Sequence, residues 1–71
     1  MEKIMNAELI ASKLKALRKE KGKSVDEVAE ANGISKSALN MYEAGLRIPR
    51  DNIKIKLANY YEQPISNLFF D

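Results

Sequence analysis

The chain has 71 residues, a formal net charge of +2 at pH 7, and neither cysteine nor histidine, so we expect one small domain without disulfides, Cys/His metal sites or an imidazole base. The sequence contains no clustered acid–base pair, P-loop or nucleophile motif, so we expect no enzymatic activity, cofactor or small-molecule substrate. Because no apolar run is long enough to span a bilayer and the N-terminus has no signal-peptide core, we expect a cytoplasmic protein that does not contact membranes.

Charge is unevenly distributed along the chain. Residues 1–23 carry seven Lys or Arg against three Glu, residues 24–34 carry three acids and no base, and residues 36–56 carry five bases against two acids. Charged residues solvate the surface of any small domain. For the lysine-rich first segment, simple solvation explains the charges as well as phosphate binding does. The bases on either side of residues 24–34 fit better with a surface that faces phosphates.

The first predicted helix follows a flexible lead over residues 1–5. Asn6 is a suitable N-cap for a helix that runs to about Glu20, and Gly22 is placed to end it. Four apolar residues recur at spacings of three and four, which gives the helix one core-facing stripe. They are Ala7, Ile10, Leu14 and Leu17.

Residues 24–45 predict two short helices joined by a tight turn. Ser24 is followed three residues later by Glu27, which is the pattern of a capping box, so the second helix begins at about Val25. Gly33 supplies a left-handed residue that ends this helix without a clash at Cβ.

The third predicted helix covers residues 36–44 and is capped by Ser35. Leu39 and Tyr42 lie three residues apart and define its buried side. Two such helices joined by a tight turn form a helix-turn-helix, a motif whose second helix enters the major groove of DNA.

The fourth predicted helix is capped by Asp51 or Asn52 and runs to about Glu62. Its buried side is predicted to consist of Ile53, Leu57, Ala58 and Tyr61. Lys54 and Lys56 are expected to be solvated.

A short fifth helix is predicted at the end of the chain. Pro64 suits its first position, because a first helical residue needs no N–H partner. Ile65, Leu68 and Phe69 are expected to fold back on the core, whereas Phe70 has no obvious place inside.

A set of residues and short motifs occurs in a characteristic order along about residues 10–69. They are Leu17-Arg18, Gly22, Ser24, Ala29, Gly33, Ser35, Leu39, Tyr42-Glu43-Ala44-Gly45, Pro49, Leu57-Ala58, Ile65 and Leu68-Phe69. The ordered set resembles the Cro and phage-repressor (Xre-like) family. The resemblance implies an all-α, compact five-helix bundle of the lambda-repressor-like type, a single DNA-binding domain over residues 6–71. It also implies a sequence-specific regulator of transcription, of the repressor type, that binds double-stranded DNA.

The outward face of the third helix contains the expected base contacts. Because Leu39 and Tyr42 point inward, Lys36, Ser37, Asn40 and Met41 lie on the other side, one turn apart in pairs. Lys36 can donate a hydrogen bond to guanine, and Asn40 can pair with adenine. Met41 can contact a thymine methyl, whereas Ser37 can bond to more than one base. The alternative is a polar face that is merely solvated.

Phosphate contacts are expected around this helix, from helix N-terminal amides, hydroxyls and basic side chains. The candidates are Arg18, Lys23, Ser24, Val25, Ser35, Arg47 and Arg50. By resemblance, Arg18 and Glu43 should also form a partly buried ion pair that docks the first helix on the third.

Four positions depart from the family pattern. Val25, Ala44 and Leu46 stand where a glutamine, an asparagine and a lysine are common, and Asn32 stands where an apolar residue is frequent. The first three departures remove polar contacts to phosphates, so we expect modest affinity for each monomer.

Assembly is predicted from the end of the chain. One helix reads only a few base pairs, so we expect a homodimer on a palindromic operator, with Tyr60, Phe69 and Phe70 as possible dimer contacts. Alternatively, Phe69 is core, Tyr60 half-exposed and Phe70 a frayed end. A protein-binding adaptor or antitoxin-like module on the same fold is the rival function.

Overall fold

The computed structural model describes residues 6–70, so the predicted lead over residues 1–5 lies outside it. Every regular element of this part of the chain is a helix, as predicted, and there are five. They are α1 (Ala7–Lys21), α2 (Val25–Ala31), α3 (Lys36–Glu43), α4 (Asp51–Tyr60) and α5 (Ile65–Phe69). None of these helices is long and apolar enough to cross a membrane.

The two ends of α1 are capped as the sequence predicts. The Asn6 side chain accepts a hydrogen bond from the amide of Leu9 at 2.8 Å. Gly22 adopts a left-handed φ of 71°, and its amide bonds the carbonyls of Arg18 and Lys19. These caps satisfy backbone groups that a helix cannot pair internally.

The core draws side chains from all five helices. Its members are Ile10, Leu14, Val28, Ala29, Leu39, Tyr42, Leu57, Ala58, Tyr61, Leu68 and Phe69. Phe69 is 0% exposed, because α5 folds back and directs this ring inward. The prediction that Phe69 folds back on the core is therefore confirmed, and the buried ring has no exposed surface to offer a partner as a dimer contact.

Two helix starts differ from the prediction by one residue. The N-cap of α4 is Arg50, without a side-chain capping bond, and Asp51 is the first helical residue. There its carboxylate faces the helix dipole and approaches Lys54 Nζ at 3.5 Å instead of capping. Pro64 likewise caps α5, with an extended ψ of 139°, and the helix begins at Ile65.

The burial of Lys54 contradicts the prediction that it is solvated. Only 3% of this residue is exposed. It lies three, four and seven residues before Leu57, Ala58 and Tyr61, which places it in the middle of the buried stripe of α4. Its aliphatic stem packs inward while Nζ lies 5.3 Å from the centroid of the Phe70 ring.

Replacing Lys54 by methionine should raise the free energy of unfolding by about 1 kcal/mol, because the desolvation of a buried ammonium outweighs its attraction to a solvent-exposed carboxylate. Urea denaturation measures the change. Lys56→Met is the matched control on an exposed position of the same helix, with an expected change within about 0.5 kcal/mol. A loss of stability in Lys54→Met would show that the contacts with Asp51 and Phe70 dominate.

Candidate nucleic-acid interface

The outward face of α3 is formed by the four residues predicted to contact bases. Leu39, Tyr42 and Glu43 are the buried residues of this helix. The exposed residues include Lys36, Ser37, Asn40 and Met41. One side of a short helix therefore carries an ammonium, a hydroxyl, a carboxamide and a thioether, all accessible from solvent.

The turn between α2 and α3 is built from local hydrogen bonds. Gly33 has a left-handed φ of 65°. Asn32 is buried, but its side chain donates to the carbonyl of Val28 at 2.8 Å, and the amide of Ile34 donates to the carbonyl of Ala29 at 3.0 Å. Asn32 thus replaces the apolar residue that is frequent here without leaving its amide nitrogen unpaired.

Both helices of the unit begin at a serine cap. The Ser24 hydroxyl accepts from the Glu27 amide at 3.1 Å, while the Glu27 carboxylate accepts from the Ser24 amide at 2.9 Å, which confirms the capping box. The hydrogen bond from the Ser24 backbone is the main cause that lowers the pKa of Glu27, and a hydrogen bond with the Ser24 side chain is the second. The Ser35 hydroxyl accepts from the Ala38 amide at 3.0 Å.

These caps leave part of each first turn without an intrahelical partner. The first four amides of any helix lack such partners, and each serine satisfies only the amide three residues after it. The amides of Val25 and Lys36, the first residues of α2 and α3, therefore remain directed outward along the helix axes. Helix ends of this kind favour anions.

A bidentate ion pair joins α1 to α3. Arg18 Nε lies 2.9 Å and 3.1 Å from the two carboxylate oxygens of Glu43, and Nη2 lies 3.0 Å from Oε1. Nη1 donates to the carbonyl of Lys23 at 3.0 Å. The hydrogen bonds to Glu43 raise the pKa of the Arg18 guanidinium against the opposing effect of its burial. The pair implied by the family resemblance is thus present, and it also holds the loop that leads into α2.

Two surface hollows group the predicted phosphate contacts. Arg18 and Val25 line one hollow together with Asn40, and Lys15 and Ala44 also border it. The second hollow, after α3, is lined by Tyr42, Arg47, Ile48, Arg50, Asn52 and Ile53. Lys23 and Ser24 precede α2, and Ser35 precedes α3, so they lie at the starts of the two helices.

Two polar residues that line these hollows, Lys15 and Asn52, are not among the contacts predicted from the sequence. Lys15 lies three residues before Arg18, on the same side of α1, and this spacing is the signal that could have identified it. Asn52 is in the first turn of α4, beside the two loop arginines.

The remaining candidate dimer contacts are both half-buried. Tyr60 meets the ring of Tyr61 edge-on at a centroid distance of 5.1 Å, and Lys21 Nζ lies 5.0 Å from the centroid of the Tyr60 ring. Phe70 covers Lys54. Each therefore exposes only part of an aromatic ring.

Known proteins resemble this chain in sequence. A family described as "Helix-turn-helix" matches residues 14–68. The cryptic phage CTXphi transcriptional repressor RstR of Vibrio cholerae is 35% identical over 63 residues, which are 89% of this chain and 57% of RstR. A Pyrococcus horikoshii protein named as an HTH-type transcriptional regulatory protein is 38% identical over 53 residues, which are 75% of this chain and 17% of that protein. The chain thus spans little more than half of one of these relatives and a small part of the other.

Solved structures resemble it in fold. The N-terminal DNA-binding domain of SinR from Bacillus subtilis has a TM-score of 0.80 and 32% identity, over 86% of this chain and 90% of that domain. An HTH_3 family transcriptional regulator from Vibrio cholerae has a TM-score of 0.79 and 36% identity, over 90% of this chain and 36% of that one.

Changing Glu43 to glutamine should lower the free energy of unfolding by about 2–3 kcal/mol, because the largely buried Arg18 loses its charged acceptor. Urea denaturation measures the loss, which should persist at about 1 M NaCl, where surface pairs are screened. Glu30→Gln, on the exposed side of α2, is the control. If both variants lose equally little, the pair contributes no more than a surface salt bridge.

Proposed function

Because the chain belongs to the helix-turn-helix family, we propose that it binds double-stranded DNA in a sequence-specific manner and regulates transcription as a repressor. One observation carries the proposal: the exposed residues of α3 are polar or thioether side chains on a helix whose opposite side is fixed to the core. Such a face matches what a helix in the major groove needs. The matched relative RstR is named as a transcriptional repressor, which supports the proposed direction of regulation.

Sequence would be read by four side chains of α3. Lys36 would donate to O6 or N7 of guanine, and Asn40 would pair with N6 and N7 of adenine, because each presents the complementary donors and acceptors. Met41 would contact a thymine methyl, and Ser37 would accept more than one base.

The duplex would be positioned by contacts to its backbone. The outward amides of Val25 and Lys36 would donate hydrogen bonds to phosphate oxygens at the starts of α2 and α3, next to Ser24 and Ser35. Basic side chains would add charge-assisted bonds, from Lys23 beside α2 and from Arg47 and Arg50 in the second hollow. Arg18 would contribute least, because most of its donors already bond Glu43 and Lys23.

We expect the active form to be a homodimer on a palindromic operator. A single α3 reads too few base pairs for useful specificity, and two copies about one DNA turn apart would supply it. The partly exposed rings of Tyr60 and Phe70 are the proposed contacts between copies.

Selection of bound sequences from a random duplex pool tests the proposal as a whole. Enrichment of one motif, with retention that weakens as salt increases, is the expected result. A chain that retains no duplex even at low salt would overturn DNA binding and favour a protein-binding module.

Replacing Lys36 or Asn40 by alanine should lower affinity for the selected site by about 1–3 kcal/mol and relax preference at one or two base positions. Repeating the selection with each variant measures the preference. Lys56→Ala and Asn59→Ala, both exposed on α4, are matched controls. An unchanged preference in both α3 variants would mean that this face does not read bases.

Removing Arg47 or Arg50 should weaken binding to all duplexes alike, since phosphates carry no sequence information. The slope of log affinity against log salt concentration should flatten by about 0.9 for each lost phosphate contact. Titrations at several salt concentrations measure the slope, with Lys56→Ala as the control. A slope equal to that of the unmodified protein would place these arginines away from the duplex.

Sedimentation at micromolar concentration tests assembly. The unmodified chain should self-associate, and Phe70→Asp and Tyr60→Glu should shift it to monomer, because each introduces a charge into an apolar contact. Circular dichroism establishes whether each variant is folded. An unmodified chain that is monomeric both free and on a palindromic site would disprove the dimer.

A further inference from the structure

An ion pair links the starts of the two helices that form the proposed interface. Lys36 Nζ, on the first residue of α3, lies 3.4 Å from a carboxylate oxygen of Asp26, the second residue of α2. Both side chains are largely exposed, at 63% for Lys36 and 68% for Asp26. The carboxylate therefore neutralises a proposed base-reading residue at the edge of the surface that would meet DNA.

We propose that Asp26 is a positioning residue that sets sequence specificity by restraining Lys36. This inference rests on the proposed function. The alternative partner for Lys36 on a duplex of any sequence is the nearest phosphate, which would bind it without reading a base. A carboxylate next to the ammonium competes with that phosphate and repels it.

The same carboxylate is compatible with base reading. An ammonium has three donors, so Lys36 can keep one on Asp26 and direct the others to O6 and N7 of guanine. A site without this guanine would lose the base contacts and would gain no free phosphate contact in exchange. Asp26 would thus weaken binding to wrong sequences more than binding to the right one.

Asp26 is distinct in this respect from the other acids of α2. Glu27 is engaged in the capping box with Ser24. Glu30 lies in the last turn and borders the hollows between α2 and α4, away from the start of α3. Asp26 is the acid that contacts the outward face of α3.

Changing Asp26 to asparagine tests the inference with the size of the side chain preserved. Affinity for an unrelated duplex should rise about two- to fivefold, the range for releasing an exposed ion pair, while affinity for the selected site should change less. The ratio of the two affinities should therefore fall. The salt slope for the unrelated duplex should steepen by about 0.9, as Lys36 gains a phosphate.

Two further comparisons separate restraint of Lys36 from a general charge effect. In a Lys36→Met background, Asp26→Asn should leave the affinity ratio unchanged, because only repulsion of phosphates, common to all sequences, is removed. Glu30→Gln removes the same charge from the other end of α2 and should also leave the ratio unchanged. Thermal melting of each variant, free of DNA, measures any loss of helix stability.

An unchanged affinity ratio in Asp26→Asn would overturn the inference, provided that the unmodified chain prefers its selected site. An equal fall in the Lys36→Met background would also overturn it, because Asp26 would then act without Lys36. An equal fall in the affinity ratio of Glu30→Gln would overturn the inference as well, because the change in net charge would then be enough to explain the effect. An unmodified chain with no affinity for any duplex would instead overturn the proposed function itself, and the inference with it.

Discussion

The orientation of α3 depends on the bond between Arg18 and Glu43. Helix α3 has eight residues, too few to be stable alone in water, so its direction must come from tertiary contacts. Apolar packing of Leu39 and Tyr42 sets how closely α3 approaches the core, but packing alone tolerates small rotations of α3 about its own axis. A guanidinium that binds two carboxylate oxygens and the Lys23 carbonyl defines its angle, because planar bidentate bonds are directional.

The proposed interface combines this fixed helix with rather few cationic contacts. Leu46 is 78% exposed and Val25 is half-buried, so apolar side chains occupy positions where the family pattern often has polar ones. Asp26 adds a negative charge to the same edge. Under the proposed function, the phosphate contacts of a single copy would then rely on backbone amides, Lys23 and the two loop arginines. Under the proposed function, this balance would favour discrimination between sequences over affinity for any one duplex.

Lys54 shows why residue type alone is a weak guide to burial. A lysine is usually expected to be solvated, yet the helical spacing of Lys54 places it in the buried stripe of α4. Its flexible aliphatic stem can pack against the core in that position. The sequence predicts Phe69 both as core and as a possible dimer contact, and the turn into α5 decides for the core. The bond from Lys13 Nζ to the Asn67 carbonyl, at 2.6 Å, helps hold α5 in that position.

The sequence alone determined the helices and the outward face of α3, because capping residues, glycines and apolar spacing act over only a few residues. It also indicated the partners of the Arg18–Glu43 pair, through resemblance. Only the tertiary structure decided the contact between Asp26 and Lys36 and the grouping of Arg18 and Val25 with Asn40. These depend on how separate helices pack and turn, which no local pattern specifies.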